Sequence, residues 1–507
     1  SDSGGVGALH FPHSISLDRG VQGFSSAIDR FLPKNCAVCS ICLMEKFDTV
    51  IITRISGDLD TPVNVSIPLK GSTRDLVGRF SKLIEEAEAT TKGLTSEAAT
   101  SWDRAKKRKW VDQRKCMDEE VQELLMQFEE EWFGVTKVLL QPARKVVDFE
   151  WNPETSALLS KCERYDVVNF IANNSQNLDT ADIKNCLVCI ARIQDKDLVS
   201  RVATEIRGFH NTTTNNSSNL DPPSMKVVEL RAALATFGLP TKGLKKDLIQ
   251  RLEAHLLGCE ESEDEDEDEE NDAYTVLILS EQLQQIPFES MPSLRDKTVT
   301  RMPSFAFVLE RLSKGVSSPN IESGAFIIDP RGDLPSTQKA FGPFMNKVRK
   351  SFGWDGVRGV DNTDTHSGFM KQSLQDKDIV LYCGHGSGED LLSREQLCRF
   401  PTCASTLLMG CSSGKLHSQG VFEPVGIVFA YVLAGCPAVV GNLWDVTDKD
   451  IDRFTLSTLD SWLFSENRSS LATAVASSRD ACKLGYLVGA APVCIGLPVP
   501  QPARSTR

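Results

Sequence analysis

From Tyr274 onward, short apolar runs alternate with helix-like pieces: TVLILS, FAFVLERL, GAFIIDP, FGPFMNKVRKSFG, DIVLYCG, TLLMGC, VGIVFAYVLAG, PAVVGNLWD and a helix after Thr447. Apolar runs of about four to six residues between helices are what parallel strands covered on both faces require. An α/β domain with a mainly parallel sheet flanked by helices is therefore expected over residues 273–507. Ligands and reactive groups in such sheets gather beyond the carboxyl ends of the strands. Strand ends are where the chemistry is to be sought.

Two of these ends carry reactive side chains. IVLYC runs into Gly384-His385-Gly386-Ser387-Gly388, and TLLMG runs into Cys411-Ser412-Ser413-Gly414. A histidine within reach of a cysteine can stabilise the thiolate and later protonate a leaving amine. The glycines flanking His385 let the backbone approach a substrate, and their amides, with that of Cys411, can stabilise an oxyanion. The competing reading makes Cys411 a buried core thiol and His385 a turn residue satisfied by backbone. On residue chemistry alone the two readings stand level. Cys383, inside its strand, and Cys436, in AGCPAVV, fit the core better.

Composition narrows the setting. A chain of 507 residues exceeds one ordinary core and implies two to four domains. The 41% hydrophobic and 25% charged shares are those of globular proteins. No stretch reaches the ~18 apolar residues of a membrane helix, and the opening SDSGGVGALHFPHS lacks a signal-peptide pattern. An intracellular setting without membrane contact is expected, and the start on Ser1 rather than methionine suggests a fragment of a longer chain. Fifteen cysteines without secretory context imply no disulfide framework. Cys36-x-x-Cys39-x-x-Cys42 and Cys186-x-x-Cys189 have spacings a zinc site could use, but they sit in the apolar runs AVCSICLM and CLVCIARI. Neither metal nor cofactor is expected. The net charge of −13 opposes a uniformly nucleic-acid-coating surface.

Upstream, AVCSICLM, DTVIITRI and NVSIP form a small strand set between about Ala37 and Pro68. From Thr73 to Phe133 the pattern is helical, with Val121, Leu124, Leu125, Phe128 and Trp132 on one face. The basic run Arg104 to Lys109 reads as a solvated helix face or an import signal. Residues 148–209 are again largely helical and end in NTTTNNSSNLDPP, a linker by composition. Two short amphipathic helices around Gly238-Leu239-Pro240 follow, over residues 222–258, and then the acidic tract EESEDEDEDEEND. The expected division is residues 1–208, an insertion at 209–272, and a catalytic domain at 273–507.

The blocks LYCGHGSGED, LLMGCSS and LAGCPAVVGNLWDVTDKDIDRF resemble the protease signature of separases, the caspase-like cysteine proteases that open cohesin, and Ile286-Pro287-Phe288-Glu289 resembles an upstream segment of the same family. The resemblance implies a caspase-like catalytic domain, with His385 and Cys411 as the catalytic pair and the amides of Gly386 and Cys411 as the oxyanion hole. It implies that Asp452 binds the arginine before the scissile bond, where a carboxylate can pair bidentately with guanidinium. Asp445, Asp448 and Asp450 are expected simply to start and decorate a helix. It further implies the kleisin subunit of cohesin as substrate, securin as inhibitor, action in cytoplasm and nucleus, and a second α/β pseudo-protease domain with long helices at residues 1–208. The 222–258 unit is similar to a SAP motif, for which Lys242, Lys245 and Lys246 are the expected DNA contacts. That unit supports the rival reading: a catalytically inactive DNA- or chromatin-binding scaffold.

Overall fold

The computed structural model describes residues 28, 30–92, 102–143, 149, 151–217, 227, 231, 245, 273–359, 363–420, 422–465 and 468–504. The SAP-like unit, apart from Val227, Arg231 and Lys245, and the acidic tract lie outside the described residues, as do Lys242 and Lys246.

Among the described residues, eleven strands form one sheet. In chain order they are β1 Cys36–Met44, β2 Thr49–Ser56, β3 Val63–Pro68, β4 Tyr274–Leu279, β5 Val299–Arg301, β6 Gly324–Ile328, β7 Asp355–Arg358, β8 Ile379–Cys383, β9 Ser405–Leu408, β12 Ala438–Asn442 and β13 Pro492–Gly496; β10 His417–Gln419 and β11 Phe422–Val425 make a separate ribbon. The spatial order is β3-β2-β1-β4-β5-β13-β12-β9-β8-β6-β7. β12, β9, β8, β6 and β7 pair in parallel, as do β13, β5, β4 and β1. These two parallel blocks meet at the antiparallel pair β12–β13. The sheet is thus mixed α/β and mainly parallel, flanked by helices.

The residues explain the arrangement. β6, β8, β9, β12 and β13 are buried at every position, as strands covered on both faces must be. β2 and β3 lie at the edge, and inward residues alternate there with more exposed ones. The helix Pro335–Phe352 buries Thr337, Phe341, Phe344, Met345 and Val348, a three-and-four spacing that makes one apolar stripe. Upstream, the helices Leu76–Thr91 and Arg104–Gln127 pack together, and Phe80 of the first meets Trp444 edge-on at 5.9 Å. Both rings are buried, which contributes roughly 2–3 kcal/mol for each side chain removed from water. This contact pins the upstream helices to the loop that follows β12.

The chain divides into two compact units, residues 1–145 with 272–507, and residues 146–271. This differs from the expected 1–208, 209–272 and 273–507 division, because β1 pairs with β4 across more than two hundred residues of sequence and makes the upstream strands part of the downstream sheet. In the second unit, the helix Lys196–Ser217 runs into the segment expected to begin a linker at Asn211. The buried stripe Val199, Val202, Ala203 and Ile206 continues to His210, whose Nε2 lies 2.9 Å from the Ala172 carbonyl oxygen. Packing there outweighs the weak helix propensity of the Asn and Thr residues. No helix of the described residues is long and apolar enough to cross a membrane.

Candidate active site

β8 and β9 are adjacent and parallel, so the turns beyond Cys383 and Leu408 fall at the same edge of the sheet. They touch: a side chain at Gly410 would collide with the carbonyl oxygens of Gly384 and Gly386. Gly386 adopts a left-handed φ of +58°, open to glycine without steric cost. The glycines around His385 and before Cys411 therefore let the two turns press together.

The Cys411 turn is held from the β12 side. Ser412 takes a left-handed φ of +51°, rare for a residue with a side chain, and is fixed there by two bonds. Its amide donates to the Trp444 carbonyl (3.2 Å), and its hydroxyl donates to Asp445 Oδ1 (2.6 Å). The amide of Gly414 donates to the Asn442 carbonyl (2.8 Å), while Asn442 Nδ2 donates to the Gly410 carbonyl (2.9 Å). Glu88, from the upstream helix Leu76–Thr91, pairs with Lys415 at 3.1 Å and accepts from the Asp445 amide at 3.4 Å.

His385 and Cys411 line one cleft, together with Leu334, Thr337, Asp448 and Asp452. The Cys411 thiol donates to the Val446 carbonyl at 3.2 Å. Burial pushes it up to about 11; the Val446 bond opposes that rise, and the charges of Asp445, Asp448 and Glu88 add to it. At neutral pH it is therefore a thiol that must hand its proton to a base to become a nucleophile. His385 is 44% exposed, and its Nε2 lies 2.9 Å from Asp333 Oδ1. Its carbonyl accepts from the Tyr382 hydroxyl (2.9 Å), which fixes the turn to β8.

Asp448 and Asp452 stand four residues apart near the start of the helix Asp448–Phe464, and both face the cleft. Asp452 is buried and accepts from the Thr337 hydroxyl at 3.0 Å. Burial pushes its carboxyl up to about 7; the Thr337 bond opposes this, while Asp448 adds to it. Burial likewise raises Asp448, against the pull of His385. A buried and a half-buried carboxyl group in one wall make a receptor for a cation, because a cation restores the charge partner that burial removed.

The structure brings His385, Cys411 and Asp452 together with Gly386 in the adjoining turn. Of the acids expected only to decorate the helix, Asp450 does turn away, accepting from the Lys483 amide at 3.1 Å and pairing with Arg453. Asp448 does not: it lines the cleft. Asp445 holds the Cys411 turn through Ser412. Asp333 and Thr337 were not anticipated at all. A signal existed, since GAFIIDP reads as a strand and Asp333 lies just beyond its end. Among the described residues no group of three or more His, Cys, Asp and Glu is placed to hold a metal. Cys36 and Cys39 are interior residues of β1 instead.

The family model described as "Separin, protease domain" matches residues 45–451. The separin of Emericella nidulans is 29% identical over 519 positions, covering 97% of this chain and 24% of that protein. The separin of Mus musculus is 28% identical, covering 92% of this chain and 20% of that protein. That of Schizosaccharomyces pombe is 40% identical over 272 positions, 51% of this chain and 14% of that protein. This chain thus spans at most 24% of the length of these relatives. A chain from the crystal structure of the Saccharomyces cerevisiae separase-securin complex superposes with a TM-score of 0.66 at 22% identity, covering 94% of this chain and 31% of that one, a likeness of fold. With the protease-domain match running through both strand-end turns and most of the sequence, this chain belongs to the separin family.

Proposed function

We propose that this chain is a cysteine endopeptidase that cleaves a protein substrate after arginine. The observation that carries the proposal is the pressing together of the Gly384–Gly388 and Gly410–Gly414 turns, with His385, Cys411 and Asp452 on one cleft. His385 takes the Cys411 proton as Sγ attacks the scissile carbonyl. The amides of Gly386 and Cys411 receive the developing oxyanion. The C–N bond then breaks, the amine leaves with the proton from His385, and a thioester remains on Sγ. Water, deprotonated by His385, hydrolyses that thioester to a carboxylate and returns the thiol. Asp452, seconded by Asp448, receives the guanidinium of the residue before the scissile bond. Family membership supports the kleisin subunit of cohesin as substrate, at chromosome segregation in nucleus and cytoplasm. The likeness to a chain crystallised with securin supports an inhibitory partner of that kind.

An arginine-ended acyloxymethyl ketone peptide, followed by mapping of the modified residue, tests the reading. Alkylation of Cys411, blocked by prior iodoacetamide, is expected. No modification, or modification of another cysteine, removes the proposed nucleophile and favours the scaffold reading, in which the SAP-like unit and Lys242, Lys245 and Lys246 carry DNA binding.

A further inference from the structure

His385 is addressed by a carboxylate that its own turn does not supply. Asp333 comes from the loop after β6, the strand beside β8, and its Oδ1 lies 2.9 Å from His385 Nε2. That loop is built around a second, fully buried acid. Asp329 takes a left-handed φ of +51°, and its amide donates to the Cys383 carbonyl at 2.7 Å, the last residue of β8. Its two carboxylate oxygens accept from the amides of Asp333 and Leu334, both at 3.0 Å, and from Gln338 Nε2 at 2.6 Å. One buried side chain therefore ties the Asp333 backbone to the strand end from which His385 departs. The loop tip stays at the surface, where Arg331 pairs with Asp390 rather than with either group.

We infer that Asp333 is a positioning residue for His385: it holds the imidazole with its proton on Nε2 and so leaves Nδ1 as the base for Cys411. This rests on the protease reading above. A carboxylate can only accept a hydrogen bond, so an imidazole against it keeps Nε2 protonated and presents Nδ1 as a lone pair. Once Nδ1 has taken the Cys411 proton, the ring is an imidazolium and the same carboxylate steadies it. The other charged groups facing His385 are Asp448 and Asp452, from the helix Asp448–Phe464 across the cleft, and the Cys411 thiol itself. Asp448 adds a second negative charge near the ring, though burial disfavours its charged form. Asp333, by contrast, is 55% exposed and lies within hydrogen-bond distance of the ring, so it is the acid that shapes the ring's hydrogen bonding. Exposure also limits the strength of the pair.

The test compares this chain with Asp333→Asn and Asp333→Glu, measuring the rate of Cys411 carboxymethylation by iodoacetate from about pH 5 to 9, with the modified residue mapped at each pH. Asparagine keeps the size but offers an amide that can turn its own N–H toward the ring and favour the other tautomer. Alkylation of Cys411 near pH 7 is expected to fall roughly three- to tenfold in Asp333→Asn, with the whole profile displaced to higher pH, and to recover in part in Asp333→Glu. Thermal midpoints should match, since both partners lie at the surface. A purely structural acid would change the midpoint and leave the shape of the profile alone. Superimposable profiles for wild type and Asp333→Asn overturn the assignment while leaving Cys411 and His385 in place. A wild type whose Cys411 fails to react anywhere in that range overturns the protease reading and this assignment with it.

Discussion

The two parallel blocks of the sheet each lead to a cysteine that donates to a backbone carbonyl, and the pair separates a thiol inside a strand from one placed on a cleft. Cys39, on β1, donates to the Leu139 carbonyl at 3.0 Å and is fully buried; burial pushes it up to about 11 against the pull of Arg54. Cys411, beyond β9, donates to the Val446 carbonyl at 3.2 Å and is also pushed up to about 11 by burial. Their intrinsic acidities do not separate them. Position does: Cys39 lies inside its strand, walled by Arg54 and the 134–140 segment, whereas Cys411 sits past a strand end on a cleft that a histidine also lines. Under the proposed function, Cys411 is set apart by where a base and a substrate can reach, not by a thiol already ionised.

The largest test of that contrast substitutes serine at both positions. Cys411→Ser should lose at least a thousandfold in cleavage of an arginine peptide, since a hydroxyl needs far stronger activation than a thiol, while its unfolding midpoint stays near wild type. Cys39→Ser should cleave at wild-type rate and lose only about 1 kcal/mol of stability, because serine can still donate to Leu139 but fills less space. Cleavage by purified Cys411→Ser, or its loss in a folded Cys39→Ser, would reverse the roles assigned to the two blocks. Next in size, His385→Ala should lower the rate by roughly a hundred- to a thousandfold, the usual worth of a general base, without destabilising the fold, because the ring lies at the surface. A collapsed or aggregated His385→Ala protein would mean that the histidine is structural.

What could be read from the sequence follows the same division. The strand-end turns were legible because their glycines and reactive residues are contiguous: GHGSG and GCSSG each announce a chain reversal after an apolar run. So was the sense of the sheet, since β6, β8, β9 and β12 are built largely of apolar residues between helix-like segments. The junction of β1 with β4 was not, because the pairing of strands so far apart in sequence is decided by tertiary packing rather than by any local pattern. Asp333 escaped for a related reason. It lies 52 residues before His385 in a Pro- and Gly-containing loop, and only the adjacency of β6 and β8 brings the two together. Asp448 was read as a helix-starting acid, which it is; the same side chain also faces the cleft.

A smaller effect should come from the cation site, where Asp452→Asn keeps shape and removes charge. An arginine entering a buried site without its counter-charge loses roughly 3 kcal/mol, or about a hundredfold in kcat/KM. Lysine substrates should lose less, because a single ammonium uses one carboxylate oxygen where guanidinium uses two. The assay is paired arginine and lysine peptides, wild type against variant. An unchanged arginine preference would move the site to Asp448.

The smallest effect concerns the fold and runs in the opposite direction. Burial lifts the Asp452 carboxyl from 3.8 to about 7, so the folded chain holds that proton more tightly than the unfolded chain does. A group raised in this way favours the fold at low pH, and its contribution is lost as pH climbs from about 4 through 7, where the unfolded chain ionises freely and the folded one ionises at a cost. Asparagine resembles the protonated acid and never pays that cost. Asp452→Asn should therefore unfold close to wild type near pH 4 and about 2–4 °C higher at pH 8, on the order of 1–2 kcal/mol, with Asp448 relieved of a like charge in the same step. The two proteins share every other titrating group, so their difference in midpoint isolates this carboxyl. A difference that does not change between pH 4 and 8 would mean that Asp452 is solvated in the folded chain, and that an arriving arginine meets an acid already ionised rather than one it must help to ionise.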